Sequence, residues 1–311
     1  HVRSRRQRQM CIRDREWTYV LAVEKMLKTE VPVRAEYVRV IIGELQRIAS
    51  HLMFFGTYAI DLGAFTPFLY AFQDRENILR IFEEVSGARL LYNYIWVGGV
   101  WNDLTDDHLV RIESFLETFE ESIKKYHKLV GENQIFVSRT AHVGVISKDQ
   151  VYDYGLTGPV LRGSGIDWDL RKNRPYSIYD KFEFDVIKGE GLKGQVGDCW
   201  DRYYVRMMEM HESIKIIRQA LAGIEAGPVM GKVPKIIKPA KGEVYMRTEC
   251  PRGELGIHLI SDGTKVPYRL KVKSSCFTHV SALGEMAPGM LIADLVASIG
   301  SIDIVLGEVD R

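Results

Sequence analysis

From Leu52 to Phe72 the chain runs for 21 residues with a single formal charge, Asp61. Just upstream, Val38, Ile41, Leu45, Ile48 and Leu52 recur every three or four residues, the spacing of one buried face of a helix. A run of that length and polarity can be a membrane span or the central helix of a soluble core. Gly56, Gly63, Pro67 and the central Asp61 decide for the core, because an unpaired carboxylate at mid-bilayer costs about 3 kcal/mol or more. The pattern predicts a long core helix that runs out near Gly56 and a second helix from about Pro67, with proline in its first turn. Asp61 then falls at a helix end or interruption, where backbone groups and side chains can converge.

The rest of the chain extends the same class. "EWTYVLAVEKML" has helical spacing and is broken by Pro32, while the helix containing "FQDRENILRIFEEVSGARLLYNY" is expected to end before Gly98 and Gly99. Leu109, Ile112, Leu116, Phe119, Ile123 and Tyr126 are in phase, with acids early and lysines late, as the helix dipole favours. "SKDQVYDYG" reads as a short helix, and the Gly-, Pro- and charge-rich passage 155–176 reads as an ordered loop. Its GxG has no strand-turn-helix context and carries little weight as a phosphate site. A last long helix covers "CWDRYYVRMMEMHESIKIIRQALAGI", with Tyr204, Met207, Ile214, Ile217 and Leu221 on one face. Beyond a linker-like crossing the period changes to two: "EVYMRTE", "LGIHLI" and "YRLKVKS" predict a small antiparallel sheet with a hairpin at Asp262 and Gly263. The expected class is mainly α with a small antiparallel β element. Its expected divisions are a helical core over 16–240, the β element over 241–285, and a C-terminal helix and tail over 286–311.

Charge and cysteine usage exclude several functions. The first fifteen residues hold six Arg against one Asp, and without them the chain has 36 basic and 40 acidic residues. That segment lacks the apolar face of a transit peptide and the h-region of a secretory signal, and reads as a non-native flank. No basic stripe with interleaved aromatics appears elsewhere, so nucleic acid is not expected as a partner. Cys11, Cys199, Cys250 and Cys276 form no CxxC pair, and the eight His show no HxxxH pattern, so no metal site is expected.

Read together, "RVIIGELQRIASHL", "IDLGAFTPF", "EEVSGARLLYNY", "LRGSGIDWDLRKNRPY", "GDCWDRYYVRMMEMHESIKIIRQAL" and the final "DIVLGEVDR" closely resemble the 49 kDa quinone-site subunit of respiratory complex I, over about residues 16 to 311. The resemblance implies the fold of the nickel-iron hydrogenase large subunit, whose shared motif "ECPRGELG" resembles. It implies no nickel-iron centre, since the C-terminal cysteine motif such a centre needs is absent. It further implies an oxidoreductase subunit forming most of a quinone-reduction chamber, with quinone as substrate and electron transfer coupled to proton translocation. The expected partners are a small iron-sulfur subunit that holds the terminal 4Fe-4S cluster, a 30 kDa-type subunit and a membrane-arm quinone-channel subunit. The expected place is peripheral, on the cytoplasmic side of a bacterial inner membrane, or the matrix side if organellar. The runner-up readings are a homologous subunit of a ferredoxin- or F420-linked membrane oxidoreductase and a truncated scaffold form.

For the residues, the resemblance implies that Asp61 stands behind a His that faces the quinone headgroup, with a Tyr on the other side. Both belong to a segment preceding residue 16 in the family, so Asp61 is expected here without its partner, protonated or solvated. Thr57 and Met53, one and two turns before Asp61, match pocket-lining residues, as do Phe68 and, in the tail, Asp303 and Val305. At Leu91 some family members carry a titrating His.

Overall fold

The computed structural model describes residues 12–90 and 92–309, so residues 1–11 of the Arg-rich start and the Leu91 position lie outside the described residues. Helix α1 (Ile12–Leu27) is followed by α2 (Val33–Asp61), whose entry is set by Pro32 in an extended conformation. Helix α2 has 29 residues, about 44 Å at the usual rise. The predicted stripe of Val38, Ile41, Leu45, Ile48 and Leu52 is buried, but so are Arg39, Glu44, Arg47 and His51 on the other side. It is therefore the central helix, covered nearly all round, and not one with a single buried face.

Gly56 does not end α2. A β-carbon there would meet the Phe68 side chain at 3.2 Å and its backbone at 3.3 Å, so this glycine lets the next helix approach closely. The stop comes at Gly63, which is left-handed at φ 90°. Its N–H donates to the Ile60 carbonyl and that of Ala64 to the Ala59 carbonyl, the paired bonds of a Schellman end. Helix α3 (Thr66–Ser86) then starts with Pro67 in its first turn. It ends well before Gly98, because Gly87 takes the left-handed cap and donates to the Glu83 carbonyl. The chain continues irregularly into a two-residue-per-strand hairpin, β1 (Ile95–Trp96) and β2 (Gly99–Val100).

Helix α4 (Asp106–Tyr126) is amphipathic as its sequence predicts, opens with a Thr105 and His108 capping box, and passes into a π-helical turn over His127–Gly131. Short helices α5 (Gln134–Thr140), α6 (Lys148–Tyr154), α7 (Gly158–Gly163) and α8 (Leu170–Asn173) follow, the last two inside the passage expected as loop. Helix α9 (Cys199–Gly223) packs along α2, and their facing side chains, together with α3 and α4, form the main core.

Strands β3 (Gly242–Cys250), β4 (Gly253–Ser261) and β5 (Arg269–Lys273) form an antiparallel sheet in the order β3-β4-β5, with Met246 opposite Ile257 and Leu259 opposite Leu270. The Asp262 and Gly263 turn lies in a longer connection, since β5 begins only at Arg269. One face of this sheet packs on α1 through Ala22, Val23, Val244, Ile257 and Leu259. Helix α10 (Ser275–Met286) occupies a stretch that periodicity left with the β element; Ser274 caps it by accepting from the Cys276 N–H. The chain closes with α11 (Ile292–Ser301) and the single turn α12 (Leu306–Val309). No helix among the described residues is long and apolar enough to cross a membrane.

Candidate functional site

Met53, Thr57 and Asp61 lie at four-residue intervals on α2 and so share one line of the helix, which the Thr57 hydroxyl reinforces by donating to the Met53 carbonyl at 2.9 Å. Met53 is half-buried, and Thr57 and Asp61 are exposed. Asp61 is the last helical residue. A carboxylate there faces the negative end of the helix dipole, an arrangement that costs about 0.3–1 kcal/mol. No described residue compensates it with a hydrogen bond or an ion pair, and partial burial pushes its carboxyl up from the ordinary aspartate value. Asp61 is thus solvent-facing and not enclosed by the apolar run around it. The apolar run is itself partly exposed at the elbow, through Ile60, Phe65 and Leu69.

Phe68 reaches the same elbow from α3. It seats against the bare α-carbon of Gly56 and packs on Phe72, with ring centroids 4.0 Å apart and the rings tilted by 33°. On the other flank, α11 packs on α2. A β-carbon at Gly300 would stand 2.8 Å from the Tyr58 ring and 3.1 Å from a carboxylate oxygen of Asp61, so the end of α11 abuts the turn that carries Asp61. Three residues on, Asp303 adopts a left-handed backbone at φ 51° and pairs with Arg252 through its carboxylate at 3.3 Å, while its carbonyl accepts from the same Arg252 Nε at 3.1 Å. Val305 is buried beside it. The expected residues therefore fall on three converging elements, α2, α3 and the connection after α11. Asp61 and Asp303 are not linked by a hydrogen bond or ion pair to each other.

Behind this surface lies a set of charged groups that pattern reading missed. Glu44, Arg47 and His51 form the inner line of α2, facing Arg206, Glu209 and Ser213 of α9. Arg171 Nη1 contacts both oxygens of Glu44 at 3.1 Å, Arg47 contacts it at 3.2 Å, and the Tyr179 and Ser213 hydroxyls donate to it at 2.6 and 2.7 Å. Against the cost of burial, the two guanidinium groups hold the Glu44 carboxyl down at about 2. Arg162, from the glycine-rich passage, bridges Glu209 at 2.7 Å and Glu249 at 2.8 Å, and Asp169 accepts from Arg171 at 2.7 Å. The signal was present as charged residues in phase with one another about a quarter-turn from the apolar stripe, on both α2 and α9. The glycine-rich passage is thus a source of buried counter-ions. Among the described residues, no group of three His, Cys, Asp or Glu is placed to hold a metal ion. Cys199, Cys250 and Cys276 are buried on separate elements.

The chain matches the family model described as the respiratory-chain NADH dehydrogenase 49 Kd subunit, over residues 61–241 and 233–311. It is 52% identical over 300 residues to the D-type NADH-quinone oxidoreductase subunit of Chlorobaculum tepidum, covering 95% of this chain and 75% of that one. It is 48% identical over 294 residues to the protein of the same name from Desulforamulus reducens, covering 94% and 79%.

Proposed function

Because the chain belongs to the 49 kDa subunit family of the respiratory-chain NADH dehydrogenase, we propose that the α2–α3 elbow and the connection after α11 form one wall of a quinone-reduction chamber. The observation that carries this reading is the exposed, uncompensated carboxylate of Asp61, held at the unfavourable end of a helix and in line with Met53 and Thr57. A fold gains nothing from that placement, so it is assigned to chemistry.

Reduction of a quinone by two electrons creates negative charge on its two oxygens, and both must be protonated. Groups that hold or pass a proton next to those oxygens lower the barrier. Asp61 supplies a carboxylate whose raised proton affinity suits it to hold a proton or to stabilise a cationic donor beside it. Met53 and Phe68 offer an adaptable thioether and an aromatic face to the flat, apolar ring. The Arg252–Asp303 pair and Val305 border the opposite side. The electrons arrive from an iron-sulfur cluster held by a small partner subunit. That subunit, a 30 kDa-type subunit and the membrane-arm subunit cover exposed side chains such as Phe65, Leu69, Leu291 and Ile292. The chain sits peripherally, on the cytoplasmic or matrix face of the membrane, and quinone reduction is coupled there to proton translocation.

The reading is tested by a photoreactive quinone applied to the intact complex. Label is expected in the peptide spanning residues 53–68 and is displaced by native quinone. Labelling confined to other subunits, with none in this peptide, would overturn it.

A further inference from the structure

The inner line of α2 carries a titratable group for which the chamber chemistry above has no use. His51 is wholly buried, and its Nε2 lies 2.9 Å from Glu209 Oε2. The other oxygen of Glu209 accepts from Arg162 Nε at 2.7 Å, and Arg162 Nη1 donates to Glu249 Oε1 at 2.8 Å. The result is a string, Glu249–Arg162–Glu209–His51, in which carboxylate, guanidinium and carboxylate alternate in charge and the fourth place is an imidazole. Despite burial, Arg162 and His51 hold the Glu209 carboxyl well below the usual range, so it is an anion. A neutral His51 then donates from Nε2 to Glu209 and leaves Nδ1 as a bare acceptor; no described residue partners that nitrogen.

The neighbours of His51 set its balance. Glu44 and Arg47 lie on its own helix, Arg206 and Glu209 on α9, Arg162 on α7 and Glu249 at the end of β3. Burial, Arg47 and Arg206 favour the neutral imidazole, while Glu209 favours the imidazolium. Glu44 has four partners, Arg47 donates to the Glu249 carbonyl at 2.7 Å, and among the described residues Arg206 is held through Nη1 alone, by the Arg202 and Ser301 carbonyls at 2.9 and 2.8 Å.

We propose that His51 is a redox-linked proton acceptor, neutral while the chamber is uncharged and protonated on Nδ1 when negative charge arrives across α2. The proposal rests on the chamber assignment. His51 is six residues from Thr57, about 9 Å along the helix. At about that distance, with an effective dielectric near 20, a unit charge changes a protonation equilibrium about twentyfold. The electrons come from the complex's own NADH oxidation and reside on the quinone. The proton comes from water, adds to Nδ1 while the reduced quinone carries negative charge, and returns to water once that quinone has been protonated to the neutral quinol. No covalent bond other than that N–H is made or broken.

The test is a redox-difference infrared spectrum of the intact complex, oxidised against NADH-reduced, with and without ring-15N histidine. Label-sensitive imidazolium bands are expected on reduction and are lost in His51→Gln, while NADH oxidation by a small artificial acceptor is unchanged. Absence of such bands, or imidazolium band intensity that is unchanged in His51→Gln, would overturn the proposal. Should His51→Gln not assemble, Glu209→Gln removes the counter-ion and is expected to abolish the same bands; unchanged bands overturn it equally. Photolabelling of the 53–68 peptide stands whatever the infrared result, so failure of this inference and failure of the chamber assignment are told apart.

Discussion

The two faces of α2 handle charge in opposite ways. On the outer line Asp61 is exposed, carries no partner among the described residues and sits at the wrong end of the helix dipole. On the inner line Glu44 is buried with both oxygens paired to guanidinium groups and hydroxyls, and Arg47 is buried with Nε on Glu44 and Nη2 on the Glu249 carbonyl. Taking charges out of water costs several kcal/mol per ion and is tolerated only when each is paired and hydrogen-bonded. The inner charges therefore belong to the architecture, tying α2 to α7, α8, α9 and β3. The outer one contributes nothing to it. A charge that the fold does not need, kept where the fold slightly disfavours it, is the better candidate for chemistry.

Substitutions on the two faces should have very different consequences. The largest effect is expected from Arg162→Ala, which strands Glu209 and Glu249 in the interior. A loss of about 3–5 kcal/mol is expected, read as collapse of the level of assembled complex or as a lowered denaturant midpoint. Near-native stability would mean that the inner network does not hold the fold together.

An acid titration of stability comes next. The Glu44 carboxyl lies at about 2 when folded, below its ordinary 4.5. A depressed folded value contributes stability that is fully present above about 4.5 and is lost as the pH falls towards 2. The loss is about 3 kcal/mol for this group, measured by denaturant unfolding across that window. Asp61 has the opposite sign, because its folded value is raised. Its small contribution is present below the ordinary aspartate value and is lost as the pH rises, so Asp61→Asn should flatten that limb of the curve.

Gly56→Ala is expected to cost about 1–3 kcal/mol by overpacking against Phe68, and to weaken quinone affinity by shifting α3. A neutral result would show that the α2–α3 elbow yields easily. The smallest effect is on stability in Asp61→Asn, a gain of about 0.3–1 kcal/mol from removing an anion at the helix C-terminus, visible as a slightly raised unfolding midpoint.

Much of this was legible in the residues. The spacing of Val38 to Leu52 marked the core helix, Gly63 and Pro67 marked the break, and the isolated Asp61 stood out because nothing near it in sequence could neutralise it. What stayed hidden depended on contacts distant in sequence. Gly56 looks like a stop, and only the approach of Phe68 reveals it as a packing position. Gly87, inside an apparently continuous helical run, ends α3 through its left-handed backbone, which periodicity does not register. Helix α10 escaped because it buries His279 and Ser275 along with Cys276 and Ala282, blurring the apolar stripe. The inner network escaped because its members come from five separate stretches, and a buried Arg reads like an exposed one until its partners are known.

The assignment of Asp61 to chemistry and of the inner charges to structure is tested most directly by the quinone reductase rate of the assembled Asp61→Asn complex. A fall of about 10²-fold is expected, with complex abundance and NADH oxidation by a small artificial acceptor unchanged. A rate equal to wild type, in a complex that assembles normally, would contradict it.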